Sequence, residues 1–146
     1  GAFVAGSAPL INYLIQFARP YIYSTAYSPA LAFASLASLK LMQSQAWRQE
    51  KLEELIAYFK QGASQQGLEI APSNTAIQPL IIGDASLALR LADYLRQQGL
   101  WVAAIRPPTV PQGSARLRIT LNATHTKSQI SQLLTALVTG LQQLTA

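Results

Sequence analysis

Apolar positions recur along this chain with two different periods, and the switches between them mark its elements. After Ser7, Leu10, Ile11, Leu14 and Ile15 recur at helical spacing, and Arg19-Pro20 closes that helix. Residues 21–27 are aromatic and hydroxyl-rich and follow neither period. Ser28-Pro29 is a helix start, a capping residue followed by proline at the first helical position. Leu36, Leu39 and Met42 keep helical spacing, which resumes at Leu52, Leu55, Ile56 and Phe59 and ends at Gly62 and Gly67. That exceeds an ordinary globular helix. The pattern therefore predicts a long linking helix over 28–66, kinked near 43–46.

Beyond Pro72 the punctuation becomes denser. Residues 76–82 read as a strand, and Pro79 inside it argues for an edge or a bulge. Asp84 caps a helix with Leu87, Leu91, Tyr94 and Leu95 on one face, and Gly99 closes it. A short apolar run over 101–105 ends at Arg106, and a loop stiffened by Pro107, Pro108 and Pro111 follows. Gly113 releases the chain into a second run, 115–121. Alternation there puts Leu117, Ile119 and Leu121 on one face and Arg116, Arg118 and Thr120 on the other. Thr126 with Gln129 forms a capping box. Ile130, Leu133, Leu134, Leu137, Val138 and Leu141 then make the cleanest amphipathic stripe in the chain. The order strand, helix, strand, strand, helix is an α+β arrangement, with helices over a small, mostly antiparallel sheet.

Composition sharpens this. Half of the 146 residues are hydrophobic and 12% are charged, against about 25% charged in ordinary domains. Such a chain presents more apolar surface than its size explains, so it either meets a membrane or needs a partner surface. Residues 20–39 carry no charge and are long enough to span a bilayer. However, they contain Ser24, Thr25, Ser28, Ser35, Ser38, several tyrosines and the Ser28-Pro29 break, which argues against a membrane helix. The chain begins at Gly1 with no basic segment ahead of an apolar one, so no secretory signal is expected and it reads as a piece of something longer. The absence of cysteine removes disulfide and thiolate chemistry, and one histidine excludes a multi-histidine metal cluster, so no metal is expected. A net charge of +5 could suggest nucleic acid, but the cations are scattered and form no basic face. No nucleic-acid partner is expected.

The residues offer little catalysis on their own. Asp84 and Asp93 project from opposite sides of one helix, so they cannot act as a carboxylate pair. His125 sits between threonines just before a helix, where capping or packing is its expected role. What remains is recognition: a stiff loop holding Arg106 beside a strand presenting Arg116 and Arg118, in a side chain suited to bidentate capture of carboxylate or phosphate.

Arg106-Pro107-Pro108-Thr109-Val110-Pro111, Gly113 and Arg116-Leu117-Arg118 resemble the C-terminal signature of the α-oxoamine synthases, in their 8-amino-7-oxononanoate synthase branch. The likeness extends to residues 21–26 and 76–81, and covers about the last two-fifths of such an enzyme. It implies the C-terminal small domain of an aminotransferase-like (fold type I) enzyme. Residues 1–27 would end the large cofactor domain, 28–66 would link, and 67–146 would form the small domain. It also implies pyridoxal phosphate as cofactor, a cytoplasmic homodimer, and condensation of L-alanine with a pimeloyl thioester with loss of carbon dioxide, in biotin synthesis. By the same resemblance Arg118 holds the α-carboxylate of the amino acid, Arg106 and Thr109 belong to a mobile loop closing over the bound intermediate, and Thr25 reaches the cofactor phosphate across the dimer. The lysine that holds the cofactor would lie shortly before Gly1. Thr124-His125-Thr126-Lys127 mimics its spacing but lacks the following glycine, so Lys127 reads as a decoy and this piece alone as inactive. A sister enzyme using glycine is the neighbouring alternative. A free-standing βαββα amino-acid-binding module is the alternative from another class.

Overall fold

The computed structural model describes residues 3–145 and divides into two compact units, Gly1–Ala46 and Trp47–Ala146. The first unit holds α1 (Ala8–Phe17), α2 (Arg19–Ile22) and α3 (Pro29–Ser44). Ser7 and Ser28 stand at the caps of α1 and α3, but neither hydroxyl bonds the first turn, and prolines at the first positions start both helices. Arg19-Pro20 does close α1, yet it also opens the single turn of α2. Proline fits there because that amide has no helical partner to lose. None of these helices buries a residue. Phe3, Tyr23, Phe33 and Met42 are each more than 70% exposed. α3 places Leu31, Phe33, Leu36, Leu39, Leu41 and Met42 around its circumference. A helix apolar on all sides has the pattern of a buried helix rather than a surface one.

The expected long helix is interrupted. Gln45, at φ −125° and ψ 58°, leaves α3 after its amide bonds the Leu41 carbonyl, and α4 begins at Trp47. The second unit contains α4 (Trp47–Gln65), β1 (Ile77–Gly83), α5 (Ala85–Gln97), β2 (Ala103–Ile105), β3 (Ala115–Thr120) and α6 (Lys127–Thr145). The sheet order is β1-β3-β2 and both pairings are antiparallel. This is the α+β layering expected from the pattern. Asp84 Oδ1 accepts from the Leu87 amide at 2.6 Å. Thr126 and Gln129 exchange side-chain-to-amide bonds at 3.2 and 2.9 Å, the reciprocal capping box.

Pro79 lies on an edge strand, and the hydrogen bonds show why it is tolerated. The Ala76 carbonyl accepts from Leu121 on the β3 side, whereas the Pro79 carbonyl and the Ile81 amide bond residues 71 and 69 on the outer side. The donor that proline lacks would have faced outward, so the β1–β3 ladder loses nothing. One face of the sheet (Gln78, Leu80, Leu117, Ile119) is buried in a core that α4, α5 and α6 complete through Leu55, Phe59, Leu91, Leu95, Ile130, Leu134 and Leu137.

Two outcomes follow. In the isolated chain the amides of α1–α3 should exchange much faster than those of α5, β3 and α6, because the first unit has no core of its own. Equal protection of both units in a monomeric sample would contradict this. Gly140 lies where α6 crosses α5, and a Cβ there would stand 2.7 Å from both Leu91 Cδ1 and Tyr94 Cδ1. Overpacking costs about 1–3 kcal/mol, against about 1 kcal/mol gained in helix propensity. Gly140→Ala should therefore lower stability by up to about 2 kcal/mol in denaturant unfolding.

Candidate functional site

Strand register determines what surrounds each arginine. Directly opposed residues share a face of an antiparallel sheet, so the face turned from the helices is built in rows. Ile81, Arg116 and Ile105 stand abreast, as do Pro79, Arg118 and Ala103, with Ile77 beside Thr120. Arg116 thus has a branched aliphatic neighbour on each side and is half-buried, whereas Arg118 has only proline and alanine beside it and is exposed. The Arg116 Nε donates to the Ser114 carbonyl at 3.0 Å. Arg118 stands between its two short neighbours on the exposed face. A strand-borne guanidinium between short side chains suits a planar carboxylate.

Arg106 follows β2 directly and is exposed, as is Thr109. The loop over residues 106–114 consists of two turns. The Thr109 amide bonds the Arg106 carbonyl at 3.0 Å, and the Ser114 amide bonds the Pro111 carbonyl at 3.2 Å. Arg106 Nη1 also reaches the Pro107 carbonyl at 3.4 Å. Gly113, at φ +75°, takes the left-handed conformation that the second turn requires. Arg106, Thr109 and Arg118 therefore all belong to the β2–β3 hairpin. Thr25 lies in the other unit, in the connector between α2 and α3. There it lines a groove of about 880 Å³ with Phe3, Tyr21, Ser24, Tyr27 and Ser35.

Lys127 is engaged elsewhere. Its Nζ stands 2.6 Å from Glu54 Oε1 and lies 5.5 Å from the Tyr58 ring centre. Lys51 holds the other Glu54 oxygen at 2.8 Å. The hydrogen bonds from Lys127 and then Lys51 hold the Glu54 carboxyl well below its usual value, at about 2. The Glu54 bond in turn pushes the Lys127 ammonium up. A lysine acting as a nucleophile needs the opposite shift. No signal in the chain would have paired residues so far apart. His125 Nδ1 accepts from the Asn122 amide at 3.3 Å, so it braces the turn before α6. Among the described residues no cluster could hold a metal, and no helix is long and apolar enough to cross a membrane.

Comparisons with known proteins show the family and the fold. The profile of the aminotransferase class I and II family matches residues 1–137, and the chain belongs to that family. It is 56% identical over its whole length to an 8-amino-7-oxononanoate synthase of Pseudomonas fluorescens, of which it covers 37%. It is 57% identical over 94% of its length to an enzyme of that name from Nitrosococcus oceani, again covering 37%. The crystal structure of 8-amino-7-oxononanoate synthase from Francisella tularensis matches 96% of the chain with a TM-score of 0.81 at 30% identity, and 41% of that protein is covered. A serine palmitoyltransferase of S. paucimobilis, at 23% identity and TM-score 0.84 over 93% of this chain and 35% of its own, shares the fold. The chain spans under half the length of these relatives.

The Glu54 clasp predicts a pH signature. A carboxyl with a depressed pKa adds stability above its ordinary value, and that contribution disappears as pH falls through about 2. The raised Lys127 contributes below its ordinary value of 10.5 and loses that contribution above it. The melting-temperature gap between parent and Glu54→Gln should stay flat from about pH 5 to 10 and close toward pH 2. Both groups are exposed, so the gap should be small and shrink further in high salt.

Proposed function

We propose that this chain is the C-terminal part of a pyridoxal-phosphate-dependent 8-amino-7-oxononanoate synthase. The complete cytoplasmic homodimer would join L-alanine to a pimeloyl thioester and release carbon dioxide. The observation that carries this reading is identity of 56% across the whole chain to an enzyme of that name. The arginines of the β2–β3 hairpin give the reading its chemistry. When bound, pyridoxal phosphate supplies an electron sink for the carbon next to the amino group. Thr25, an exposed hydroxyl in the α2–α3 connector, would hold the cofactor phosphate of the partner subunit. Arg118 would pair with the alanine carboxylate and set the orientation of the α-carbon. Arg106 and Thr109, on the loop, would close over the bound intermediate and exclude water. Lys127, held by Glu54, does not fit as the residue that bonds the cofactor, and in this reading that lysine would come from the rest of the complete protein.

The decisive experiment is the complete enzyme assayed with alanine, glycine and serine against a pimeloyl thioester. Turnover with alanine alone or far ahead of the others supports the reading, while a preference for glycine or serine overturns it. Two variants test the residue roles. Removing one partner of a desolvated charge pair costs about 2–5 kcal/mol. Arg118→Ala should therefore weaken alanine binding roughly 30-fold to several thousand-fold, at about 1.4 kcal/mol per tenfold. Arg106→Ala should fall mainly on kcat, because its contacts form on closure. Alanine titration followed in the cofactor absorption band, plus steady-state rates, separates the two. Unchanged alanine affinity in Arg118→Ala would remove it from the carboxylate site.

A further inference from the structure

We infer that Arg116 is a positioning residue for the loop that carries Arg106 and Thr109. The inference rests on the loop role given under Proposed function. Arg116 and Arg118 share a strand and a face, but their surroundings differ. Arg116 stands between Ile81 and Ile105 and is half-buried. Its Nε is committed to the Ser114 carbonyl at 3.0 Å. Ser114 is in turn the end of the second turn of the loop. Its amide bonds the Pro111 carbonyl at 3.2 Å and its hydroxyl bonds the same carbonyl at 2.7 Å.

The loop needs such a tether for a chemical reason. Pro107, Pro108 and Pro111 have no amide hydrogen, so the segment has few backbone donors with which to fix itself. Each of its two turns is closed by a single main-chain bond. The Arg116 guanidinium supplies the missing donor from the strand, at the end of the loop that re-enters β3. On the other side, Gly83 of β1 lies against the carbonyl of Gly113, 3.6 Å from where a Cβ would sit. The second turn is thus held between an arginine side chain and the end of a neighbouring strand. Arg106, which continues directly from Ile105 in the row of Arg116, takes its position relative to Arg118 from that anchored base.

The test uses the complete enzyme with Arg116→Lys, which keeps the charge and an aliphatic stem between the isoleucines but has no donor at the Nε position. Amide exchange at Thr109 and Ser114 should accelerate while the β3 amides stay protected, a readout independent of activity. Alanine affinity from the cofactor absorption titration should be unchanged. The specificity constant for the acyl thioester should fall on the order of 10- to 100-fold, as expected when reacting groups are misplaced by about 1 Å. In an Arg106→Ala background the same substitution should cost much less than in the parent, because both act through one loop and only Thr109 remains on it to be misplaced. Unchanged loop exchange, or fully additive losses with Arg106→Ala, overturns the inference. So does a loss of alanine affinity comparable with that of Arg118→Ala, which would make Arg116 a ligand itself. If Arg106→Ala proves silent while Arg116→Lys still loosens the loop, the loop's part in the reaction fails and the tether stands.

Discussion

The central position of β3 is the constraint on which the second unit depends. Paired on both sides, it has one register with β1 and one with β2. Its alternation sends Leu117 and Ile119 into the core and Arg116 and Arg118 to the opposite face. A slip of one residue would bury two guanidinium groups and expose two large aliphatic side chains. The arrangement of charge is therefore protected by the hydrophobic core itself. Even the proline of β1 respects this, since the donor it lacks would face away from β3.

The first unit presents the opposite case. Its helices have apolar residues in abundance and none of them is buried. Local signals account for the helices, through proline starts and helical spacing, but helix propensity alone does not hold such a segment against water. Only Arg19 and Lys40 are charged in residues 1–46, whereas the amphipathic elements α5 and α6 follow the ordinary pattern of a water-facing domain. The aromatic connector with Thr25 sits in this apolar unit.

How much of this was legible in the sequence depended on range. Asp84, the Thr126–Gln129 box, and the alternation of β3 are local patterns, and the structure has them where the spacing placed them. The break between α3 and α4 falls within the stretch where a kink was expected, but its completeness was not readable. Burial of Gln78 was hidden for a related reason. It sits in an apolar run, and its amide donates to the Thr75 carbonyl at 2.6 Å while its side-chain oxygen has no protein partner. Nor could spacing separate Arg116 from Arg118. Both are arginines on one face, and only their neighbours across the sheet distinguish them. Those neighbours lie on β1, distant in sequence, and on β2, whose register with β3 the proline-rich loop between them does not reveal. The Glu54–Lys127 pair was invisible on the same grounds.

This division between strand and loop bears on how the candidate site would work. A guanidinium on a central strand is fixed before any ligand arrives, so little freedom is lost when it pairs with a carboxylate. A guanidinium on a loop must be brought into place, and the free energy for that comes from the contacts formed on closure. In the proposed site, Arg118 on β3 and Arg106 on the adjoining loop would give one hairpin both behaviours. Binding and closure would then be separable steps, provided the loop moved about a fixed base. The short loop, poor in backbone donors, does not provide that base alone. The row of Ile81, Arg116 and Ile105 does, because it anchors a charged donor in an aliphatic slot beside the carbonyl where the loop rejoins the sheet.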